Sequence, residues 1–207
     1  MQKKTIVILT KSSKYGKLCV AGIDVENGSW IRLCCTTDTK AGELDRKYLI
    51  TTDGKECDIL EEVEIYVKDG LASLFQPENV YIDETKRFKF LKRVNLNDVL
   101  KLHPLENTPF ILGNANYKLN YDEVAIIKKS LSIVKVSNLN LSINEKNKTK
   151  AEFHYNNHCY RYVSVTDPNF FSKEVNIGSA VIVVSLPDDD WSKENGYFKY
   201  IAKIFIL

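Results

Sequence analysis

The residues of this chain best placed to do chemistry are aromatic rings set beside cations. Asn27-Gly28 is a strong hairpin signal, because a two-residue type I′ turn needs positive φ at both positions. Such a turn pairs Val25 with Trp30 and Ile23 with Arg32. Leu18, Val20, Ile31 and Leu33 then share the face that builds a core, and Trp30 and Arg32 stand side by side on the other. There an indole can stack on a base and a guanidinium can grip a phosphate. The plainer alternative is packing for Trp30 and a carboxylate partner for Arg32.

Three further stretches combine the same ingredients. Lys11-Ser12-Ser13-Lys14-Tyr15-Gly16-Lys17 reads as a polar loop in which Lys11, Ser12, Lys14 and Tyr15 can hold phosphate oxygens. It lacks the glycine spacing and the Gly-Lys-Ser/Thr ending of a P-loop, and as a solvated loop it needs no ligand. Lys86–Arg93 is basic at five of eight positions. On a strand, Arg87, Lys89 and Arg93 share one face and Phe88 and Phe90 the other, which suits a groove that tracks a nucleic-acid backbone. Charge on an edge strand also guards against aggregation. Asn156-Asn157 can close another hairpin, setting Phe153, Tyr155, His158, Tyr160, Tyr162 and Ser164 on one face and His154, Cys159 and Arg161 on the other. Exposed, the rings of Tyr160 and Tyr162 form a stacking surface; buried, that face is core, as is expected of Phe153.

Acids, nucleophiles and metal ligands offer less. Asp188-Asp189-Asp190 and Asp167 sit beside prolines, where aspartate ordinarily caps backbone amides. His154 and His158 fall on opposite faces of a hairpin and a third ligand is missing, so no metal site is expected. Ser164, His158 and Asp167 can be assembled into a triad on paper, but no nucleophile elbow supports it. No catalytic residue and no cofactor is assigned.

The elements that must position these residues are mostly strands. Runs at Lys4–Thr10, Lys17–Glu26, Ser29–Cys35, Cys57–Lys68 and Lys86–Val94 precede a helix over Asn95–His103, which Asn95 can cap. After the proline-bearing segment His103–Pro109, a helix is expected over Tyr121–Ser130. Strands follow near Leu131–Ser137, Leu139–Asn144, Lys150–Tyr155, His158–Thr166, Ser179–Leu186 and Tyr197–Ile206. The pattern gives a mainly β chain of two tandem OB-like five-stranded barrels with a few short helices, residues 1–106 and 107–207. A single larger sandwich or an α+β domain is the competing architecture.

Composition bounds the rest. A 44% hydrophobic and 27% charged chain can build a core, and its net charge of +2 permits nucleic acid without demanding it. No apolar run is long enough for a membrane helix. The N-terminal apolar run is short and lacks a signal-peptide cleavage site. The five cysteines are odd in number and without framework spacing, so reduced thiols and a cytoplasmic location are expected.

Several strings carry a resemblance: ILTKSSKYGKLCVAGIDVENGSWIRL (Ile8–Leu33), FQPENVYID (Phe75–Asp83), HPLENTPFILGN (His103–Asn114), SVTDP (Ser164–Pro168), SLPDD (Ser185–Asp189) and YIAKIF (Tyr200–Phe205). In this order the chain resembles the small bacterial proteins known as dual OB domain-containing proteins. The resemblance implies two OB-like barrels in tandem and brings no known reaction and no catalytic residues.

The expected function is that of a non-catalytic nucleic-acid-binding protein, taking single-stranded DNA or RNA on a barrel face. One alternative is a nucleotide or small-molecule sensor or enzyme with its site between the barrels, near Trp30, Lys11, Asp167 and Asp189. Another is an adaptor that binds a protein partner.

Overall fold

A computed structural model describes residues 1–14, 16–37, 39, 42–68, 75–187 and 196–207, with the Lys14 side chain also left aside. The chain forms two compact units. One comprises Met1–Ala72 and Glu78–Pro104, the other Ser73–Pro77 and Leu105–Leu207. No helix among the described residues is long and apolar enough to cross a membrane.

In the first unit, β1 (Gln2–Lys14), β2 (Lys17–Asp24) and β3 (Trp30–Cys34) form an antiparallel meander. β4 (Glu61–Lys68) pairs with β1, and β5 (Asn79–Ile82) bridges β4 and, in parallel, β3. The ring therefore runs β1-β2-β3-β5-β4 and back to β1. β6 (Lys89–Arg93) adds to β4 outside it, and α1 (Leu96–Leu102) follows. Asn95 caps α1 by accepting from the Asp98 amide at 3.0 Å. Ile6, Ile8, Val20, Leu33, Val63 and Ile65 fill the ring from alternate strand positions.

The second unit starts with β7 (Lys118–Leu119) and α2 (Tyr121–Ile126). Asn120 and Glu123 close a reciprocal capping box at the start of α2. β8 (Leu131–Ile143), β9 (Thr149–Tyr155), β10 (His158–Val165) and β11 (Val175–Ser185) precede β12 (Tyr197–Phe198) and β13 (Tyr200–Ile206). β8-β9-β10-β13-β11 is a closed barrel, with β10 and β13 parallel. Numbering only the ring strands of each unit gives the same order twice, 1-2-3-5-4, with the same parallel closure between the third and fifth. That is the five-stranded Greek-key barrel of the OB type.

Differences from expectation have local causes. β8 is one strand where two were expected, because Asn138 takes φ of 51° at a bulge and the ladder resumes beyond it. α2 ends at Ile126 instead of reaching Ser130, with the Ile127 amide donating to the Val124 carbonyl as the chain turns into β8. Phe75–Pro77 lie early in the sequence yet belong to the second unit. Phe75 meets Tyr121 and Tyr197 at ring distances of 5.7 and 5.1 Å, and Gln76 Nε2 donates to the Leu186 carbonyl at 2.8 Å.

Candidate nucleic-acid interface

Ligands of OB barrels meet the outer face of the second and third strands. In the first unit these are β2 and β3. Their register is Ile23 with Trp30 and Ala21 with Arg32, two residues away from the register of a two-residue turn. The loop is longer because the Asp24 amide donates to the Ser29 carbonyl and the Gly28 amide to the Asp24 carbonyl. A slip of two keeps every side chain on its expected face, so Trp30 and Arg32 do share one. That face is largely closed to solvent: Ala21 and Ile23 are buried and Arg32 is only 5% exposed, while Cys19 and Trp30 are partly exposed. Arg32 is thus enclosed and not presented to a phosphate. Trp30 is half-buried, its indole edge-on to the His103 ring at 5.3 Å, while His103 Nδ1 lies 2.8 Å from the Gly28 carbonyl. Trp30 serves there as packing for the end of α1.

The stretch expected as a loop after Thr10 is instead the tip of the β1–β2 hairpin, paired as far as Lys14 with Lys17. Lys11 Nζ donates to Glu56 Oε1 and to the Cys57 carbonyl, both at 2.6 Å, and Ser12 is buried. Neither is available as a phosphate donor at the surface. Tyr15, the Lys14 side chain and Asp188–Asp190 lie outside the described residues.

Arg87 and Lys89 are exposed. A bulge in the β4–β6 ladder changes which cations share a face. Phe90 pairs with Val63 and Lys92 with Glu62, leaving Leu91 as the extra residue. Lys89 and Lys92 therefore stand opposite Glu64 and Glu62 on the outer side, and Arg93 falls beside Glu61 at 3.6 Å instead of aligning with Arg87 and Lys89.

In the second unit the second and third barrel strands are β9 and β10. Tyr160 pairs with Phe153, and both rings are buried in a parallel stack 5.1 Å apart. The Tyr160 hydroxyl accepts from the Ile111 amide at 2.9 Å and donates to the Asn114 carbonyl at 3.1 Å. Tyr160 is a core residue and not a stacking platform. The next ladder pair is Val163 with Ala151, so Arg161 and Tyr162 together oppose Glu152. This bulge puts Tyr162 at φ of 60° and turns its ring out of the core, 69% exposed. Ser164 follows it outward and receives a 2.7 Å bond from Lys150 Nζ. Burial pulls the Lys150 ammonium below its ordinary value.

Around Tyr162 the outer face of β8, β9 and β10 carries Lys150 and Arg161 against the carboxylate of Glu152, which Arg161 meets at 3.3 Å, and Lys135 is exposed farther along β8, beyond the Ser137–His154 pair. Asn138 Nδ2 lies 3.0 Å from His154 Nδ1, and Asn140 is exposed beside them. Cations, amides and an imidazole share this outer face with one exposed ring. His158 packs against Phe110 at 4.7 Å, apart from His154, and Asp167 accepts from Lys203 and the Ile204 amide at 3.0 Å. Ser164, His158 and Asp167 thus each have other partners. No group of three or more metal-ligating side chains occurs among the described residues.

The dual OB-containing domain matches residues 4–204, nearly the whole chain. The chain belongs to that family. No curated protein matches it. Among solved structures, the Ifi202 HINa domain in complex with a 20 bp double-stranded DNA aligns over 100% of this chain and 97% of its own, at 12% identity and a TM-score of 0.42. A murine DNA-binding protein bound with double-stranded DNA aligns over 100% of both chains at 8% identity and a TM-score of 0.38. Likeness at this level transfers neither ligand nor docking mode.

Within this dual OB domain, the residues that sequence reasoning missed are Lys135, Asn138, Asn140, Lys150 and Glu152. Their signal was present as polar residues at alternate positions, Lys150-x-Glu152-x-His154 most plainly. Also missed was Lys199, between β12 and β13. It is fully buried, donates to the Asn114 carbonyl at 2.6 Å and to Asn114 Oδ1 at 2.9 Å, and sits 5.3 Å from the Tyr160 ring centroid. Burial lowers its ammonium from the ordinary 10.5 to about 7, and the Glu123 carboxylate opposes that shift.

Proposed function

We propose that this dual OB domain binds single-stranded nucleic acid, without cleaving it, on the outer face of β8, β9 and β10. The observation that carries the reading is Tyr162, whose bulge holds an aromatic ring out in solvent on the strand where OB barrels meet their ligands. A bare ring at that position gives a flat surface for an unpaired base, and every base has a π-face to offer. Arg161, Lys150 and Lys135 supply charge for the backbone, and Asn138, Asn140 and His154 supply hydrogen-bonding groups for base edges. A duplex buries its base faces in its own stack, so a ring used for stacking favours single strands.

The binding is weak by this geometry. Three cations set the salt dependence at a log–log slope of about −2 for a single strand, far below that of a dedicated polyanion binder. Anisotropy of a fluorescein-labelled oligo(dT) or oligo(U) titrated with the whole protein tests the reading. Tyr162→Ala should lose about 1–3 kcal/mol of binding at every salt concentration, the scale of one base–aromatic stack. Arg161→Gln with Lys150→Gln should flatten the salt slope instead. Binding indifferent to Tyr162, or none at low salt, sinks the proposal.

A further inference from the structure

Among the described residues, one edge of β6 has no strand partner. The strand pairs with β4 alone, and no strand among the described residues lies on its other side from Lys89 to Arg93. All five of its residues are exposed, Phe90 and Leu91 each to 38%. Just before it, the Phe88 carbonyl is taken by the Thr52 amide, so the free edge begins where β6 begins. Such an edge presents unsatisfied amides and carbonyls to whatever extended chain approaches.

The side chains along this edge select the approaching chain. Lys89 and Lys92 face outward, while Phe90 lies on the core side beside Val63. Lys92 and Arg93 are already engaged by Glu62 and Glu61, at 3.3 and 3.6 Å. Arg87 and Lys89 are exposed and make no ion pair among the described residues. We propose that the edge of β6 accepts an extended segment of a partner protein, with acidic residues alternating with apolar ones, as an added β-strand. The acidic side chains lie beside Lys89 and Arg87, and the apolar ones cover Phe90.

A nucleic-acid strand suits this edge less well. Glu61, Glu62 and Glu64 stand one strand behind β6, about 5 Å away in the hydrogen-bonding direction, where a phosphate backbone would meet them. A polynucleotide also cannot complete a strand ladder. The lysines and the bulge at Leu91 deter pairing between copies of this like-charged edge, and the same charges admit an acidic strand.

The test uses the whole protein and an acetylated, amidated eight-residue peptide of alternating glutamate and valine. Saturable binding that slows amide exchange across Lys89–Arg93 is expected. Arg87→Glu with Lys89→Glu should weaken it about tenfold or more, since two favourable pairs become repulsive ones. The same variant should take up the matching lysine–valine peptide, which shows that it is folded. Tyr162→Ala should leave peptide binding unchanged, keeping this surface separate from the nucleic-acid reading. The proposal is overturned if a peptide N-methylated along both edges binds as well as the parent peptide, if no peptide protects these amides, or if oligo(dT) protects them and the peptide does not.

Discussion

Replacing Lys199 with methionine should stabilise the second barrel at mildly acidic pH and lose that advantage as pH rises. The side chain is enclosed, and burial sets its ammonium at about 7 against an ordinary 10.5. Between those values the unfolded chain holds the lysine proton and the folded chain does not, so stability of the parent rises with pH. Below about 7 both states hold it, and the folded state carries the full cost of a buried cation. Each pH unit inside the window is worth about 1.4 kcal/mol. Across the interval from about pH 6 to about pH 9, the parent should therefore gain about 2–3 kcal/mol on Lys199→Met. Methionine leaves no acceptor stranded, because the Asn114 carbonyl keeps the Tyr160 hydroxyl and Asn114 Oδ1 keeps the Asn116 amide. Urea unfolding of both proteins across this range, with exchange of the β10 and β13 amides to localise the change, reads the difference directly. Curves that run parallel for parent and variant would refute the claim that Lys199 sheds its proton in the folded protein.

The other expectations rest on equally local geometry. Tyr160→Phe removes the acceptor of the Ile111 amide and should cost about 1–3 kcal/mol in urea unfolding, the scale of a buried donor left unmade. Gly22→Ala would set a Cβ 2.1 Å from the Val7 carbonyl oxygen across the β1–β2 ladder, so the variant should lose about 3 kcal/mol or more, or fail to fold, by circular dichroism. Burial raises the Glu84 carboxyl, but the bonds from Thr37 and Thr36 outweigh it and hold the group at about 2. Its stabilising effect is present above the ordinary 4.5 and is lost as pH falls toward 2, so Glu84→Gln should narrow the gap to the parent in acid titrations monitored by circular dichroism.

What the sequence reveals and hides follows from the period of two. The Asn27-Gly28 hairpin is found at the right place with the wrong loop length, yet the faces of Trp30 and Arg32 survive, because an error of two residues restores the alternation. An odd insertion does not. At Arg161–Tyr162 a single extra residue sends Tyr160 inward and Tyr162 outward, although two positions of separation imply one shared face. The same device at Leu91 separates Arg93 from Lys89. Neither bulge carries a glycine to announce it. Lys199 is hidden for another reason: a buried lysine depends on Asn114, 85 positions earlier, and nothing local predicts that such an acceptor will arrive.

The two barrels share a topology, but the outward positions of their second and third strands differ in character. On β2 and β3 these are Cys19, Ala21, Ile23, Trp30, Arg32 and Cys34, an almost entirely apolar set. On β9 and β10 they are Lys150, Glu152, His154, Cys159, Arg161 and Ser164. A strand apolar on both faces is one that is covered on both, whereas alternation marks a face left to water. The strand pattern alone therefore gives the second barrel's β9–β10 face more polar surface than the first barrel's β2–β3 face. An aromatic ring on the second barrel's β9–β10 face is there against the polar pattern of its neighbours. Tyr162 holds that place in a left-handed backbone conformation that asparagine or glycine would adopt more readily. A strained, exposed tyrosine among lysine, arginine and asparagine gains nothing from core packing, and a stacking partner is the contact that its position leaves open.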